Sequence, residues 1–338
     1  MVRVTVLGSG SKGNCTVVTT SATQILVDAG LSCREIVKRM RLAGVEPEKL
    51  DAVLVTHEHQ DHVQGLAVLA RRFRAPVYWT QATHAAWKRW MTPRKTMSFQ
   101  TWLELRRQQT AAAGVEDAAS SADGVERDLT EASLELLSVS AMEELPEAQP
   151  SEPPSATEAA PGDPLLAEDL AALPAVEYFR AGLSVEIGDV RVTPFTVPHD
   201  AVDPVGFVLE VEGLRIAIAT DLGYLPPNVR MHLQRTDLLI LESNHDLEML
   251  RDGPYPWAVK QRVLSRVGHL SNDAVGEYLE KEYDGSARYV VLAHLSESNN
   301  LPELARLSAE RALRAKTSLL ANKVLLASQN TPLESIYL

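Results

Sequence analysis

Two kinds of apolar pattern alternate along the chain. Short runs rich in Val, Ile and Leu read as strands over 3–7, 16–18, 24–27, 52–56, 76–79, 184–187, 190–197, 205–211, 215–219, 238–241, 288–293 and 324–327. Segments with apolar residues three and four positions apart read as helices over 33–43, 62–72, 82–91, 257–267, 272–282 and 302–316. Strands meander first, then alternate with helices, and a second strand-rich half follows. That order predicts an α/β protein in which two sheets pack together with helices outside. No internal repeat aligns by eye.

Between residues 110 and 172 both patterns fade. This stretch holds fifteen Asp and Glu against the single Arg127, with no Lys and no aromatic residue. It includes Pro150-Ser151-Glu152-Pro153-Pro154 and Ala159-Ala160-Pro161-Gly162. Such a composition predicts a disordered or loosely helical acidic insertion in a single domain spanning 1–338, with a short amphipathic piece at Leu134-Glu135-Leu136-Leu137. The insertion carries a charge of −14 against −12 for the whole chain, so the rest carries +2. An acidic chain argues against a polyanionic partner, but a near-neutral remainder does not.

At 338 residues the chain is long enough for a substantial core. No run of eighteen apolar residues is present, so no membrane span is expected. The N-terminus opens with strand-like alternation and has no basic segment leading into an apolar core, so no signal peptide is expected and a cytoplasmic location follows. Cys15 and Cys33 are too few for a disulfide framework and are not spaced as a metal pair; both are expected to be reduced and buried.

The chemistry concentrates at Thr56-His57-Glu58-His59-Gln60-Asp61-His62, directly after the apolar run Ala52-Val53-Leu54-Val55. Three imidazoles and a carboxylate at the mouth of a strand are costly to keep dry and unpaired. A divalent metal offsets that cost, because neutral imidazole nitrogens and carboxylate oxygens are its preferred ligands. A solvated polar loop with incidental histidines is the bland alternative. Three further sites argue against it. Pro198-His199-Asp200, Thr220-Asp221-Leu222-Gly223 and His294-Leu295-Ser296 each follow an apolar strand, where a sheet exposes side chains to a cleft. With the 57–62 cluster they predict a dinuclear site.

This ordered set resembles the metallo-β-lactamase superfamily, whose H-x-H-x-D-H loop is followed by a lone His, a lone Asp and a last His. The resemblance implies an αββα metallo-β-lactamase sandwich around two divalent ions. It implies His57, His59 and His199 on the first ion, Asp61, His62 and His294 on the second, and Asp221 bridging both. Asp28, in Leu26-Val27-Asp28-Ala29-Gly30, matches the superfamily's early Asp, an orienting residue behind the ligands. A carboxylate at the bridging position resembles the phosphodiesterase and glyoxalase branches.

Further motifs resemble the YycJ/WalJ group of small bacterial exonucleases of this fold. They are Gly8-Ser9-Gly10-Ser11-Lys12-Gly13-Asn14, Glu242-Ser243-Asn244-His245-Asp246, Tyr255-Pro256-Trp257-Ala258-Val259-Lys260, Gly268-His269-Leu270-Ser271-Asn272, and His294-Leu295-Ser296-Glu297-Ser298-Asn299-Asn300. This resemblance implies a metal-dependent 5′-exonuclease acting on DNA, with Asp61 and His269 in the catalytic machinery and His269 as general acid. A helix cap explains the Gly268–Asn272 motif equally, through Ser271 or Asn272.

Ser11 and Asn14 in the glycine turn, and His245, are expected to contact substrate, the turn by offering backbone N–H groups to a phosphate. Lys260, Arg262, Arg266, Arg306, Arg311 and Arg314 would suit a nucleic-acid backbone or simply a solvated helix face. Trp87, Trp90 and Trp102 would suit base stacking or, better, packing. His-rich ligation suits Zn²⁺ and a mixed carboxylate site suits Mn²⁺. A small-molecule hydrolase acting on a cyclic phosphodiester or a thioester is the alternative on the same metals.

Overall fold

Most central strands are apolar on both faces, and that requires a cover on each side. In the strand Leu238–Glu242, Leu238 and Ile240 join the core shared by the two sheets, while Leu239 and Leu241 pack under helices. The strand Ala52–Leu54 divides likewise, Ala52 and Leu54 to the shared core and Val53 to the helical side. Four layers result, helix, sheet, sheet, helix, as the αββα expectation requires. The computed structural model describes residues 1–92, 171–314, 316 and 322–338. They fall in one unit, Met1–Thr92 with Glu168–Leu338. The expected insertion at 110–172, but for its last two residues, lies outside the described residues, as do Leu134 to Leu137 and Trp102.

The strands in chain order are β1 Arg3–Gly8, β2 Cys15–Thr19, β3 Gln24–Val27, β4 Ala52–Leu54, β5 Val77–Trp79, β6 Val176–Tyr178, β7 Val185–Ile187, β8 Val190–Thr196, β9 Val205–Val211, β10 Leu214–Ala219, β11 Leu238–Glu242, β12 Tyr289–Ala293, β13 Lys323–Leu326 and β14 Ile336–Tyr337. One sheet runs β14-β1-β2-β3-β4-β5-β6 and the other β7-β8-β9-β10-β11-β12-β13. Each has three antiparallel pairings from its first-named edge and three parallel pairings after them. A sequence with no repeat visible by eye therefore folds as two sheets of one plan, β14 returning to complete the first.

All the expected strands are present within a residue or two. β6 and β14 are additional: three and two residues long, they are too short to show alternation. The helix expected over 62–72 is two, Gln60–Val63 and Leu66–Phe73, parted where the Gly65 amide donates to the Ala29 carbonyl instead of continuing a helix. The helix expected over 257–267 stops at Val263, whose carbonyl accepts from the His269 amide as the chain turns back. Helices Pro227–His232 and Leu247–Asp252 are too short for periodicity to reveal. Cys15 and Cys33 are free and buried. Among the described residues no helix is long and apolar enough to cross a membrane.

Candidate metal centre

Strands from both sheets deliver polar residues to one rim. Asp28 directly follows β3, His57 comes three residues after β4, His199 three after β8, Asp221 two after β10, and His294 directly after β12, while Glu242 is the last residue of β11. Asp28, Asp221 and His294 adopt left-handed φ values of 61°, 60° and 54°. This conformation is uncommon outside glycine, costs on the order of 1–3 kcal/mol and gathers at functional sites. Gly30 lets the loops converge: a Cβ there would lie 1.6 Å from the Asp61 carbonyl oxygen.

Two clusters form. In the first, His57, His59 and His199 each bring a ring nitrogen within 4.8 Å of the others. His199 Nδ1 donates to the carbonyls of Val267 at 3.1 Å and Gly268 at 3.3 Å. His57 Nδ1 lies 3.0 Å from Thr56 Oγ1, whose own proton goes to Asp28 Oδ2 at 2.9 Å. With Nδ1–H directed outward, Nε2 of both rings presents a lone pair inward. His199 Nε2 faces His59 Nδ1 at 3.3 Å.

The second cluster joins Asp61, His62, Asp221 and His294 by the same distance criterion. His62 Nδ1 donates to Asp28 Oδ2 at 2.8 Å, leaving Nε2 at 3.2 Å from Asp221 Oδ2 and 3.4 Å from Asp61 Oδ2. His294 Nδ1 donates to Glu242 Oε1 at 2.9 Å, and its Nε2 lies 3.5 Å from Asp61 Oδ2. The buried Nε2 atoms of His57 and His294 have no hydrogen-bond partner among the described residues. Buried ligand atoms that converge and are left unsatisfied are the arrangement a cation completes. The residues present therefore fit divalent ions.

The protonation of the two clusters differs. Burial, with the His62 charge, pushes the His57 pKa well below the imidazole range, and burial pushes His199 down too. Burial would also lower His62, but Asp221, Asp61 and Asp28 outweigh it and raise it well above that range. His294 is raised against its burial by Asp221, Asp61 and Glu242. Burial would raise Asp61, yet the His62 charge and the neighbouring His294 imidazole hold it below the carboxylate range.

Glu242 is the residue that sequence reasoning misses as a participant. It is fully buried, and its Oε1 accepts from His269 Nδ1 at 2.7 Å and His294 Nδ1 at 2.9 Å. Its Oε2 accepts from the amides of Leu222 at 2.9 Å and Leu270 at 3.2 Å. Burial opposes its charge, but the His269 and His294 imidazoles hold its pKa down at about 2. In return Glu242 raises the His269 pKa against the effect of burial. A signal for it exists: like the expected ligands, Glu242 ends an apolar run, Leu238 to Leu241.

The seven expected ligands all lie in the two clusters, with Asp28 behind them. His269 stands three residues before helix Asn272–Lys281, which Ser271 caps through the Ala274 amide. Ser11 is exposed on its turn, whereas Asn14 is buried and directs its amide to Asp61 and His62. His245 is 1 % exposed, and its two ring nitrogens have no partner among the described residues; burial lowers its pKa to about 4. Helix Trp257–Val263 has none of its residues buried. Arg262 pairs with Asp200 at 2.5 Å, Arg266 lies 4.3 Å over the Tyr224 ring, and Lys260 donates to the Arg251 carbonyl. Arg306 reaches the Val324 carbonyl, and Arg311 and Arg314 lie in the last turn of helix Pro302–Arg314. Trp87 is core and Trp90 exposed.

Comparison with known proteins matches this arrangement. A sequence model of the metallo-beta-lactamase superfamily matches residues 8–259. The exodeoxyribonuclease YycJ of Bacillus anthracis is 30% identical over 311 residues, covering 92% of this chain and 89% of its own. The exodeoxyribonuclease WalJ of Streptococcus pneumoniae serotype 2 is 28% identical over 306 residues, covering 90% and 86%. Among solved structures, the metallo-beta-lactamase fold protein YhfI from Bacillus subtilis superposes with a TM-score of 0.58 at 15% identity, covering 99% of this chain and all of that one.

Proposed function

The chain belongs to the metallo-beta-lactamase superfamily and is a metal-dependent hydrolase, and from that premise we propose that it is a dinuclear phosphodiesterase acting on DNA as a 5′-exonuclease. The observation that carries the phosphodiesterase reading is the place of His269. Its ring centroid lies 5.3 Å from that of His199 and 5.2 Å from that of His294, so one proton donor faces both clusters. The name shared by the YycJ and WalJ relatives supports DNA as substrate, and the 5′ polarity rests on the resemblance of the motifs to that group.

In this reading His57, His59 and His199 would hold one ion and Asp61, His62 and His294 the other, with Asp221 as a further ligand. When bound, two such ions supply Lewis acidity at the phosphodiester and lower the pKa of attacking water. Thr56 and Asp28 fix the tautomers of His57 and His62, and Glu242 fixes that of His294. His269, held charged by Glu242 at Nδ1, directs Nε2–H to the leaving oxygen and donates its proton there. Glu242 then takes no proton itself; it stabilises the imidazolium before the transfer. The three-imidazole cluster suits Zn²⁺, and the carboxylate-containing one accommodates Mn²⁺ or Zn²⁺.

The test is Mn²⁺-supported digestion of a 5′-phosphorylated strand labelled at its 3′ end, beside the Asp61→Ala protein. Progressive shortening by the wild type alone is expected. An intact strand with two ions bound would move the reading to a small-molecule hydrolase on the same centre.

A further inference from the structure

The glycine turn at residues 8–14 has the look of a phosphate cradle, but its hydrogen bonds are already made. Ser9 N donates to the Ser328 carbonyl, Gly10 N to Asn14 Oδ1, Lys12 N to Gln329 Oε1, Gly13 N to the Gly10 carbonyl, and Asn14 N to the Asp61 carbonyl. Of the amides from Ser9 to Asn14, only that of Ser11 is left out of this set. The inner side of the turn is filled as well: a Cβ on Gly13 would lie 2.6 Å from the Gly30 carbonyl oxygen. A phosphate needs several convergent free N–H groups, and this turn has directed them at protein.

What the turn does hold is the mixed cluster. Asn14 Nδ2 lies 3.1 Å from Asp61 Oδ2, 3.1 Å from His62 Nε2 and 3.2 Å from the Gly10 carbonyl. Asn14 N reaches the Asp61 carbonyl at 2.7 Å, so one residue grips Asp61 by main chain and side chain. Ser9 Oγ accepts from the His294 amide at 2.8 Å and donates to Asn14 Oδ1 at 3.3 Å. Ser9 and Asn14 thereby join the loop after β4, in one sheet, to the loop after β12, in the other. The loops of the three-histidine cluster are joined differently, outside its ligand atoms: Glu58 Oε1 accepts from the Val202 amide at 2.9 Å, while His57 Nδ1 meets Thr56 and His199 Nδ1 the Val267 and Gly268 carbonyls.

We propose that Asn14 and Ser9 are positioning residues for the second ion, holding Asp61 and His294 in register, rather than contacts to substrate. The proposal rests on the two-ion reading above. Asp61 is the most exposed of its cluster, its side chain 22% accessible, and without the Asn14 amide its carboxylate is free to turn toward water. Partners of this kind set metal affinity by about 10–100-fold.

The test is calorimetric titration of Zn²⁺ into metal-free full-length protein, with elemental analysis of the reloaded chain. Asn14→Ala is expected to bind the first Zn²⁺ as the wild type does and the second about 10–100-fold more weakly, with turnover restored by excess metal. Ser9→Ala is expected to move the second affinity in the same direction by less, since it acts on the His294 backbone. If Asn14→Ala loses its fold by circular dichroism, Asn14→Ser serves instead, because it keeps an acceptor for Gly10 N and is too short to reach Asp61. Two Zn²⁺ bound with wild-type affinities, together with a raised KM for DNA, would overturn the proposal in favour of the phosphate cradle. A wild-type chain that takes up only one Zn²⁺ would overturn the two-ion reading and this proposal with it, whatever its action on DNA.

Discussion

The three-histidine cluster and the mixed cluster share a rim, yet the pKa values of His57 and His199 move down while those of His62 and His294 move up. Around His57 and His199 burial outweighs the nearby carboxylates, Asp221 for both and Asp200 for His199, and both pKa values fall. Around His62 and His294 the neighbours are Asp28, Asp61, Asp221 and Glu242, and both pKa values rise. An imidazole must be neutral to ligate. His57 and His199 would therefore ligate without first losing a proton at neutral pH, whereas His62 and His294 would have to release one. The carboxylates of the mixed cluster in turn attract a dication more strongly. One residue type at one kind of position, the end of a buried strand, is tuned by what stands behind it.

The strongest way to break this comparison is to remove a ligand from each side. His59→Ala and Asp61→Ala should each lower turnover by at least about 10³-fold, since an ion contributes several kcal/mol to transition-state stabilisation. Elemental analysis should find one ion fewer per chain in each variant. Near-wild-type turnover in either would refute the two-ion mechanism.

Glu242→Gln, which touches the mixed cluster and the proton donor together, should cost about 10–100-fold. It should also move the alkaline limb of the rate profile. Glu242 raises the His269 pKa, so the protonated, active form persists below that value and is lost as pH rises through it. Without the carboxylate the pKa falls and the limb shifts to lower pH. A limb that stays in place would remove His269 from the role of acid.

A third test sharpens the contrast itself. At pH 7 uptake of the first Zn²⁺ should release few protons and uptake of the second should release more, so the second affinity alone should climb steeply with pH through neutrality. Calorimetry in buffers of different ionisation enthalpy measures this directly. Equal proton release at the two steps would contradict the opposed pKa directions of His57 and His62. The smallest effect is expected from Asp28→Asn, which keeps the shape but not the charge behind His62: about tenfold weaker binding of the second ion by titration, with the first unchanged.

Much of the site is legible in the chain because its residues obey one local rule, a metal-binding type at the end of an apolar run. His57, Asp221 and His294 follow it with no help from geometry. Glu242 follows it too, but a lone glutamate closing a strand is an ordinary event, and only its four hydrogen bonds single it out. The bonding of Asn14 is hidden for the converse reason. A glycine turn with free amides and one with bonded amides have the same sequence, and Gln329, which takes the Lys12 amide, lies at the far end of the chain. The edge strands β6 and β14 escape because a strand of two or three residues has no period.

The amino-acid sequence by itself determined the donor atoms and the layers: side-chain chemistry is a property of each residue, and runs apolar on both faces must be covered on both. The tertiary structure alone decided which donors meet, in which direction each imidazole pKa moves, and that the Asn14 amide bonds Asp61. Those outcomes depend on distances between loops from two sheets, and Coulomb and hydrogen-bond energies depend on such distances, not on separation along the chain.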